Sequence, residues 1–256
     1  MKKDLIIIVV LLASVINLKA QENKAEITNY ISLNPQFVQI KEGLNYGLVN
    51  NGMNLDLEYA RISSTDSKTL IYSAELGFGA NYRQGLGMNW VFKPLGVFYG
   101  FKLTQSPAVE VILGPYAETY YMWQLFPELQ SGHMFWLSSY EIGPQVLISM
   151  PIKNRVLRLS LSNSVFSLNS RPENKTEEYY YSLSFADFAG NPHSDMSFGF
   201  QDTFNHVDLQ LSLSGPNKKF SIGYELEYFG FLAAPKFEML THSINLKWRL
   251  GNGKNK

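Results

Sequence analysis

Three segments near the end of the chain alternate strictly between apolar and polar residues: VDLQLSL at 207–213, FSIGYELEY at 220–228 and INLKWRL at 244–250. A Gly-Pro-Asn-Lys turn at 215–218 separates the first two. Successive side chains of a β-strand point to opposite faces, so an alternation with a period of two indicates strands with one apolar and one polar face. We therefore predict three consecutive amphipathic strands in this region.

The same alternation recurs along the rest of the chain. We count about ten segments of the length that a tilted membrane strand requires. They are residues 26–39, 53–63, 70–82, 90–103, 109–121, 136–150, 157–161, 207–213, 220–228 and 244–250. The links after even-numbered strands are short and those after odd-numbered strands are longer, an asymmetry typical of periplasmic turns opposite outer loops. This asymmetry places both termini in the periplasm.

The sequence thus predicts an all-β protein, a closed antiparallel up-and-down transmembrane β-barrel of about ten strands. A further hairpin of residues 179–185 with residues 196–200 would raise the number to twelve. A secreted soluble β-sandwich that binds a ligand is the alternative fold, because amphipathic strands occur in both classes.

The first twenty residues have the layout of a secretory signal. A basic start, Met1-Lys2-Lys3, precedes an apolar core from Leu5 to Ile16 that is too short to span a bilayer comfortably. We predict a signal peptide at 1–20, a single barrel domain at 21–256, and export to the outer membrane. The chain contains no cysteine, so it forms no disulfide.

The composition argues against a nucleic-acid partner. The formal net charge is zero and only 17% of residues are charged, whereas nucleic-acid-binding domains carry basic patches. Aromatic residues make up 14% of the chain. This content suits a protein with aromatic girdles at two membrane interfaces.

In layout, the chain after residue 20 resembles the small porin-like or OmpA-like outer-membrane β-barrels of Gram-negative bacteria, particularly those of the Bacteroidota type. The resemblance rests on strand layout and includes no diagnostic motif. It implies outer-membrane lipid and the barrel-assembly machinery as partners. Members of this group usually end on an aromatic residue, whereas here Trp248 is followed by a polar tail at 251–256.

The polar faces of the predicted strands carry more acids than bases, and in a barrel they line the lumen. The acids are Asp56, Glu58, Glu75, Glu110, Glu118, Glu141, Asp208, Glu225 and Glu227, and the bases are Lys102, Arg158, Lys247 and Arg249. One interpretation is a narrow pore that prefers cations. The other is a packed network of ion pairs, because barrels of this size are often filled by their own side chains.

One arrangement of these residues suggests hydrolysis. His206 and Asp208 fall near the outer end of the eighth predicted strand, and Asp56 and Glu58 near the outer end of the second. Two such pairs facing each other across a barrel mouth resemble the site of the omptin-type outer-membrane proteases, where His and acids activate a water. The His-x-Asp and Asp-x-Glu orders differ from those of that family.

Other catalytic or cofactor sites are not indicated. Lipid-modifying barrel enzymes place a His and a Ser on the same lipid-facing side of a strand, whereas His242 and Ser243 are adjacent and point to opposite faces. The sequence contains no phosphate-binding loop, metal-ligand cluster or Cys-based site. We therefore expect no cofactor and no metal.

We expect a non-enzymatic barrel that acts as a narrow channel, a surface-binding protein or a structural component. A small solute or a surface ligand would be its further partner. Exposed aromatic residues often mark contact surfaces, and the long predicted loop at 169–203 contains several. These are Tyr179, Tyr180, Tyr181, Phe185 and Phe188.

Overall fold

The computed structural model describes residues 25–43, 47–82, 86–126, 133–172, 190, 193, 196–215, 219–233 and 236–251. They form twelve β-strands: β1 (Glu26–Glu42), β2 (Leu48–Ser64), β3 (Lys68–Tyr82), β4 (Leu86–Gln105), β5 (Glu110–Phe126), β6 (His133–Ile152), β7 (Arg155–Asn163), β8 (Phe166–Ser170), β9 (Ser197–Phe200), β10 (Phe204–Ser214), β11 (Phe220–Phe231) and β12 (Phe237–Leu250). No helix in this part of the chain is long and apolar enough to cross a membrane.

The strands close into one antiparallel barrel. Neighbours in sequence pair with each other from β1 to β6, β6 pairs with β7, β7 with β10, and β10 to β12 follow in order. The first and last strands then pair over Asn29–Glu42 and Phe237–Leu250, so the sheet has no open side at this seam. The prediction of a closed up-and-down barrel is confirmed, and the alternative of a two-sheet sandwich is wrong.

Two of the ten wall positions are built from two strand segments each. β6 pairs with β7 in its last part and with β8 in its first part, so β7 and β8 are one wall strand interrupted at Ser164 and Val165. β9 pairs with β8, and β10, which follows β9 in the chain, pairs with β7. β9 and β10 are therefore also two segments of one wall strand. The barrel therefore has ten strand positions with two extra segments. The hairpin of the twelve-strand alternative lies partly outside the described residues, at 179–185; within them, residues 197–200 pair with β8.

The two ends of the barrel differ. At the end that we call the short-turn end, residues 65–67, 106–109 and 153–154 connect the strands. β1 and β11 begin there, and β10 and β12 end there. The opposite end is called the loop end. The predicted length asymmetry is wrong for three links: β3 ends at Tyr82 and β4 begins at Leu86, and the links between β1 and β2 and between β11 and β12 are no longer than the link between β10 and β11. The reason is that most strands extend further towards the loop end than the alternation indicated.

The outer face of the barrel is apolar. Leu55, Leu57 and Tyr59 on β2 are 40 to 50% exposed, while Asp56 between them is 1% exposed. Outward apolar side chains continue around the wall, among them Leu76, Phe78, Leu211 and Ile222. A continuous apolar outer face is unfavourable in water and suits the hydrocarbon of a bilayer. The predicted signal at 1–20 and its boundary with the barrel lie outside the described residues.

Candidate functional site

The barrel interior has an apolar layer in the half nearest the loop end. We call it the aromatic plug, and its members are at most 5% exposed. It comprises Val38, Ile40, Val91, Tyr120, Met122, Phe135, Leu137, Phe204, Phe229, Phe231, Phe237 and Met239. Phe135 and Phe237 stack at 4.9 Å between ring centroids, and Phe204 meets Phe229 edge to face at 5.0 Å. Aromatic pairs at these distances pack favourably.

A network of side-chain amides lies in the same half, on β2 to β5. Asn81 donates to Asn89 Oδ1 at 2.7 Å, and Gln124 donates to the same oxygen at 3.1 Å. Asn89 in turn donates to Asn54 at 3.4 Å. Asn81, Asn89 and Gln124 are at most 1% exposed. Together with the plug, these amides pack the described interior of the loop half with little solvent contact.

A charged layer lies directly beneath the plug. Lys93 Nζ is 3.0 Å from Glu227 Oε1 and 3.7 Å from Glu75 Oε1. The same ammonium group lies 5.5 Å from the centre of the Tyr120 ring, which belongs to the plug. A cation near an aromatic face is attracted by the ring quadrupole. Lys93 therefore connects three strands of the wall with the base of the plug.

His206 is held between two carboxylates in this layer. Its Nδ1 lies 2.7 Å from Glu141 Oε2, and its Nε2 lies 2.9 Å from Glu227 Oε1. Ionised carboxylates only accept hydrogen bonds, so both ring nitrogens donate when the histidine is an imidazolium. The His206 ring is also 5.0 Å from the Phe229 ring of the plug. The geometry makes His206 a structural cation at the junction of the two layers.

Acids outnumber cations in this layer. Lys93 and His206 are the cationic groups among its described residues, and the carboxylates are Asp56, Glu75, Glu118, Glu141, Asp208, Glu225 and Glu227. Some of them accept one hydrogen bond from a neutral donor: Gln36 donates to Asp56 Oδ2 at 2.6 Å and Asn245 to Glu225 Oε2 at 2.8 Å. Four carboxylate oxygens of the layer are buried and accept no hydrogen bond within the described structure: Asp56 Oδ1, Glu118 Oε1, Glu141 Oε1 and Asp208 Oδ1.

A cavity of about 470 Å³ lies between the charged layer and the short-turn end. One wall is apolar, formed by Phe98, Ile112 and Tyr116 with Ile71 and Leu147 packed against them. The plug closes the cavity at its upper end. Towards the short-turn end the lining of the cavity extends to the ends of the wall strands, as at Glu26, Ser64 and Glu110, so the cavity opens there.

Ion pairs surround the lower part of the cavity. They join Lys102 to Glu110 at 3.1 Å, Lys247 to Glu58 at 3.6 Å, and Arg249 to Glu26 at 3.2 Å. Arg158 lines the same part of the cavity. The bases are thus concentrated near the open end, whereas the excess of acids is concentrated at the closed end.

Sequence reasoning missed Lys93, the central cation. In the predicted alternation of β4, Val97 faces the lipid. Lys93 lies four residues earlier and is therefore assigned to the same face. A β-bulge between Phe92 and Leu95 shifts the register of β4 against β5 and turns Lys93 inward. Pro94 was the available signal, because a proline inside a strand is confined to edges and bulges. The bulge reverses the face to which every later residue of a strand belongs.

The structure does not assemble the predicted hydrolytic pairs. Asp56 bonds to Gln36, Glu58 to Ser32 and Lys247, and His206 to Glu141 and Glu227. The placement at a barrel mouth is also wrong. β2 begins at Leu48, so Asp56 and Glu58 lie deep in the strand, and His206 lies beneath the plug.

The predicted contact residues of the long loop cannot be placed. Tyr179, Tyr180, Tyr181, Phe185 and Phe188 lie outside the described residues. Within the described part, His193 Nδ1 lies 3.1 Å from the hydroxyl of Tyr140, which in turn is 2.7 Å from the hydroxyl of Tyr121. This group is on the outer face of β5 and β6.

Comparison with solved structures identifies the fold. Outer membrane protease OmpT from Escherichia coli aligns with a TM-score of 0.50 and 8% sequence identity, over 90% of this chain and 99% of that chain. The fold is that of an outer-membrane β-barrel. The translocator domain of autotransporter NalP from Neisseria meningitidis aligns with a TM-score of 0.47 and 8% identity, over 94% and 93% of the two chains. No protein-family model matches the chain, and no curated sequence is significantly similar to it.

Proposed function

We propose that this protein is an integral outer-membrane β-barrel of a Gram-negative bacterium whose lumen does not conduct ions, and that it acts as a non-enzymatic binding or structural protein. One observation carries the proposal: the aromatic plug and the neighbouring amides pack the lumen at the loop end. Of the two interpretations of the charged lumen, this geometry favours the packed network over the cation-preferring pore.

The location in the outer membrane is supported by the closed barrel and its apolar outer face. Hydrocarbon leaves backbone polar groups of strands unsatisfied unless the sheet closes on itself, as it does here. The layout resembles porin-like or OmpA-like barrels of the Bacteroidota type, which adds the barrel-assembly machinery and outer-membrane lipid as partners. Trp248, outward on the last strand, is the residue we expect that machinery to recognise.

A non-enzymatic role is supported by the environment of His206. Both of its ring nitrogens are occupied by carboxylates, and its neighbours include the plug. A general base needs a free nitrogen within hydrogen-bond reach of the water that it activates. The likeness to the protease OmpT is one of fold at 8% identity and transfers no activity.

Planar-bilayer recording of the refolded protein tests the proposal. Heat-modifiable gel mobility first establishes that the barrel has closed. We expect no discrete conductance steps, because ions cannot pass the packed loop half. Cation-selective steps that decrease in Glu225→Gln and Glu227→Gln variants would contradict the proposal and establish the pore.

A further inference from the structure

We infer that Tyr224 and His242 form a lipid-binding site on the outer face of the barrel. In this site a ring nitrogen of His242 donates a hydrogen bond to an acyl-ester carbonyl of a lipid in the leaflet nearest the loop end. The inference rests on the proposed function, since the barrel must lie in a bilayer, and it names a ligand class for the binding role. Three observations carry it: the pairing of the two side chains, the open nitrogen of His242 and the depth of the pair in the wall.

Tyr224 and His242 are a polar pair in an apolar part of the wall. The Tyr224 hydroxyl lies 2.6 Å from His242 Nδ1. Phe37 and Leu226 lie opposite His242 on the two neighbouring strands. Ile244, the next residue on the same face of β12, is 51% exposed. Hydrocarbon supplies no hydrogen-bond partner, so polar groups on a lipid-facing wall are unfavourable unless they are paired.

One nitrogen of this pair remains open. Neutral histidine has one donor and one acceptor nitrogen, so Nε2 carries the ring proton when Nδ1 accepts the Tyr224 hydroxyl proton. The opposite arrangement would leave both the hydroxyl proton and Nε2 without a partner, and it is therefore less favourable in hydrocarbon. Within the described part of the chain Nε2 makes no hydrogen bond, yet it is not buried. Its N–H group therefore faces the surroundings of the barrel and calls for an acceptor there.

The depth of His242 in the wall indicates which acceptor it meets. Gln39 donates to Asn51 at 3.1 Å on the outer face and lies opposite Leu240 on β12, so these amides mark the polar boundary nearest the loop end. His242 is two residues further from that boundary, and Trp248 marks the opposite boundary. A rise of about 3.3 Å per residue and a tilt of about 40° place His242 about 5 Å below the amides and about 15 Å from Trp248. Acyl esters join the headgroup of a lipid to its hydrocarbon chains and therefore lie at this depth.

The surroundings of the pair favour recognition of the ester rather than of headgroup charge. Nearer the loop end, Lys41 and Glu238 pair at 3.4 Å, so the charges closest to the site compensate each other. The Phe37 ring lies 6.4 Å from the imidazole of His242 and is 41% exposed. An acyl chain that continues from the ester towards the middle of the bilayer packs on this ring and on Ile244. The site therefore selects a lipid by its ester carbonyl.

Native mass spectrometry of the refolded, closed barrel tests the inference. The protein is held in an alkyl maltoside, a detergent without a carbonyl group, and is exposed to an equimolar mixture of two phosphatidylcholines. One lipid has ester-linked chains and the other has ether-linked chains of equal length. We expect the one-lipid adduct to contain the ester lipid in about fivefold excess, the effect of one net hydrogen bond. Equal amounts of the two adducts would overturn the inference.

Variants locate the site on the wall. We expect His242→Phe to abolish the preference for the ester lipid. Tyr224→Phe should reduce it, because Nδ1 then has no donor that fixes the ring proton on Nε2. The control is Tyr59→Phe, since Tyr59 also donates on the outer face, to Asn29 at 3.0 Å, but near the short-turn end. This control should keep the preference, whereas an unchanged preference in His242→Phe would overturn the inference.

The position of the ring proton gives a second measurement, which needs no folded variant of the pair. Heteronuclear NMR of histidine-labelled protein in lipid nanodiscs should show the proton of His242 on Nε2, and the Nε2 signal should shift between ester and ether lipids. A proton on Nδ1, or the same Nε2 signal in both lipids, would overturn the inference. Such a failure in a barrel that does not conduct contradicts this inference alone, whereas conductance contradicts the proposed function.

Discussion

Replacing Lys93 with methionine is expected to reduce the free energy of unfolding by about 3–5 kcal/mol, the loss that follows when one partner of a buried ion pair is removed. Lys93 is paired with Glu227 and Glu75, and its side chain is only 12% exposed. Methionine fills a similar volume but leaves both carboxylates without their cation. Urea unfolding of the protein in lipid vesicles measures the loss.

The matched control is Lys41→Met. Lys41 pairs with Glu238 at 3.4 Å, but the two side chains are 51% and 37% exposed. Exposed ion pairs contribute about 0–1 kcal/mol, so the control should remain close to the parent protein. The combination of Lys93→Met with Glu75→Gln should recover part of the loss, because one uncompensated carboxylate is then removed. Equal losses for Lys93→Met and Lys41→Met would contradict the central role of Lys93.

Phe237→Ala is expected to destabilise the barrel by about 3–5 kcal/mol through the cavity it leaves in the plug. Phe237 has no exposed surface, stacks on Phe135 and meets Phe229 edge to face. The double variant Phe135→Ala with Phe237→Ala removes a stacked pair from the middle of the lumen. We expect this variant, once folded, to show ion conductance that the parent protein lacks.

Phe78→Ala serves as the control for this prediction. Phe78 is 59% exposed on the outer face of β3, where neighbouring side chains and lipid can occupy the vacated space. We expect a smaller loss of stability and no conductance. If the double variant of Phe135 and Phe237 folds and remains silent in planar bilayers, the aromatic plug is not what closes the lumen.

The fold could be predicted because a period of two is a local property of the sequence. For residues such as Leu55, Asp56 and Leu57, the alternation alone indicates which side chains point to the lipid and which to the lumen. The ten wall positions and the closure at the seam of β1 and β12 follow from the number and length of such segments. The interruption at Ser164 and Val165 was missed. Even-numbered side chains point inward before it and odd-numbered ones after it, so the period of two does not continue through this position.

The aromatic plug was missed for a different reason. Phe229 and Phe231 share the inner face of β11 with Glu225 and Glu227, but the predicted strand ended at Tyr228. Because the polar faces were assigned to the lumen, apolar inner positions were not considered, whether beyond the predicted strand ends or inside them, as at Leu137. Extending the same alternation by three residues would have placed both rings in the lumen.

The contacts of the charged layer depend on register across several strands. His206 meets Glu141 although β7 lies between β10 and β6 over most of their length. Their contact requires the break after Asn163, where Ser164 donates its backbone N–H to the His206 carbonyl at 2.8 Å. A single sequence specifies which side chains point inward but not which of them meet. This limit explains why the partners of His206 and Lys93 emerged only from the structure.

Cysteine accessibility from the two sides of the membrane tests the central claim, a lumen closed at the loop end and open at the short-turn end. Three single-cysteine variants are compared: Ser73→Cys in the cavity, Asp202→Cys in the turn between β9 and β10 at the loop end, and Ser67→Cys in a turn at the short-turn end. A membrane-impermeant maleimide applied to intact cells should label only the variant of Asp202. After the outer membrane is permeabilised, all three should react. Labelling of the Ser73 variant in intact cells at the rate of the Asp202 variant would contradict the closed lumen.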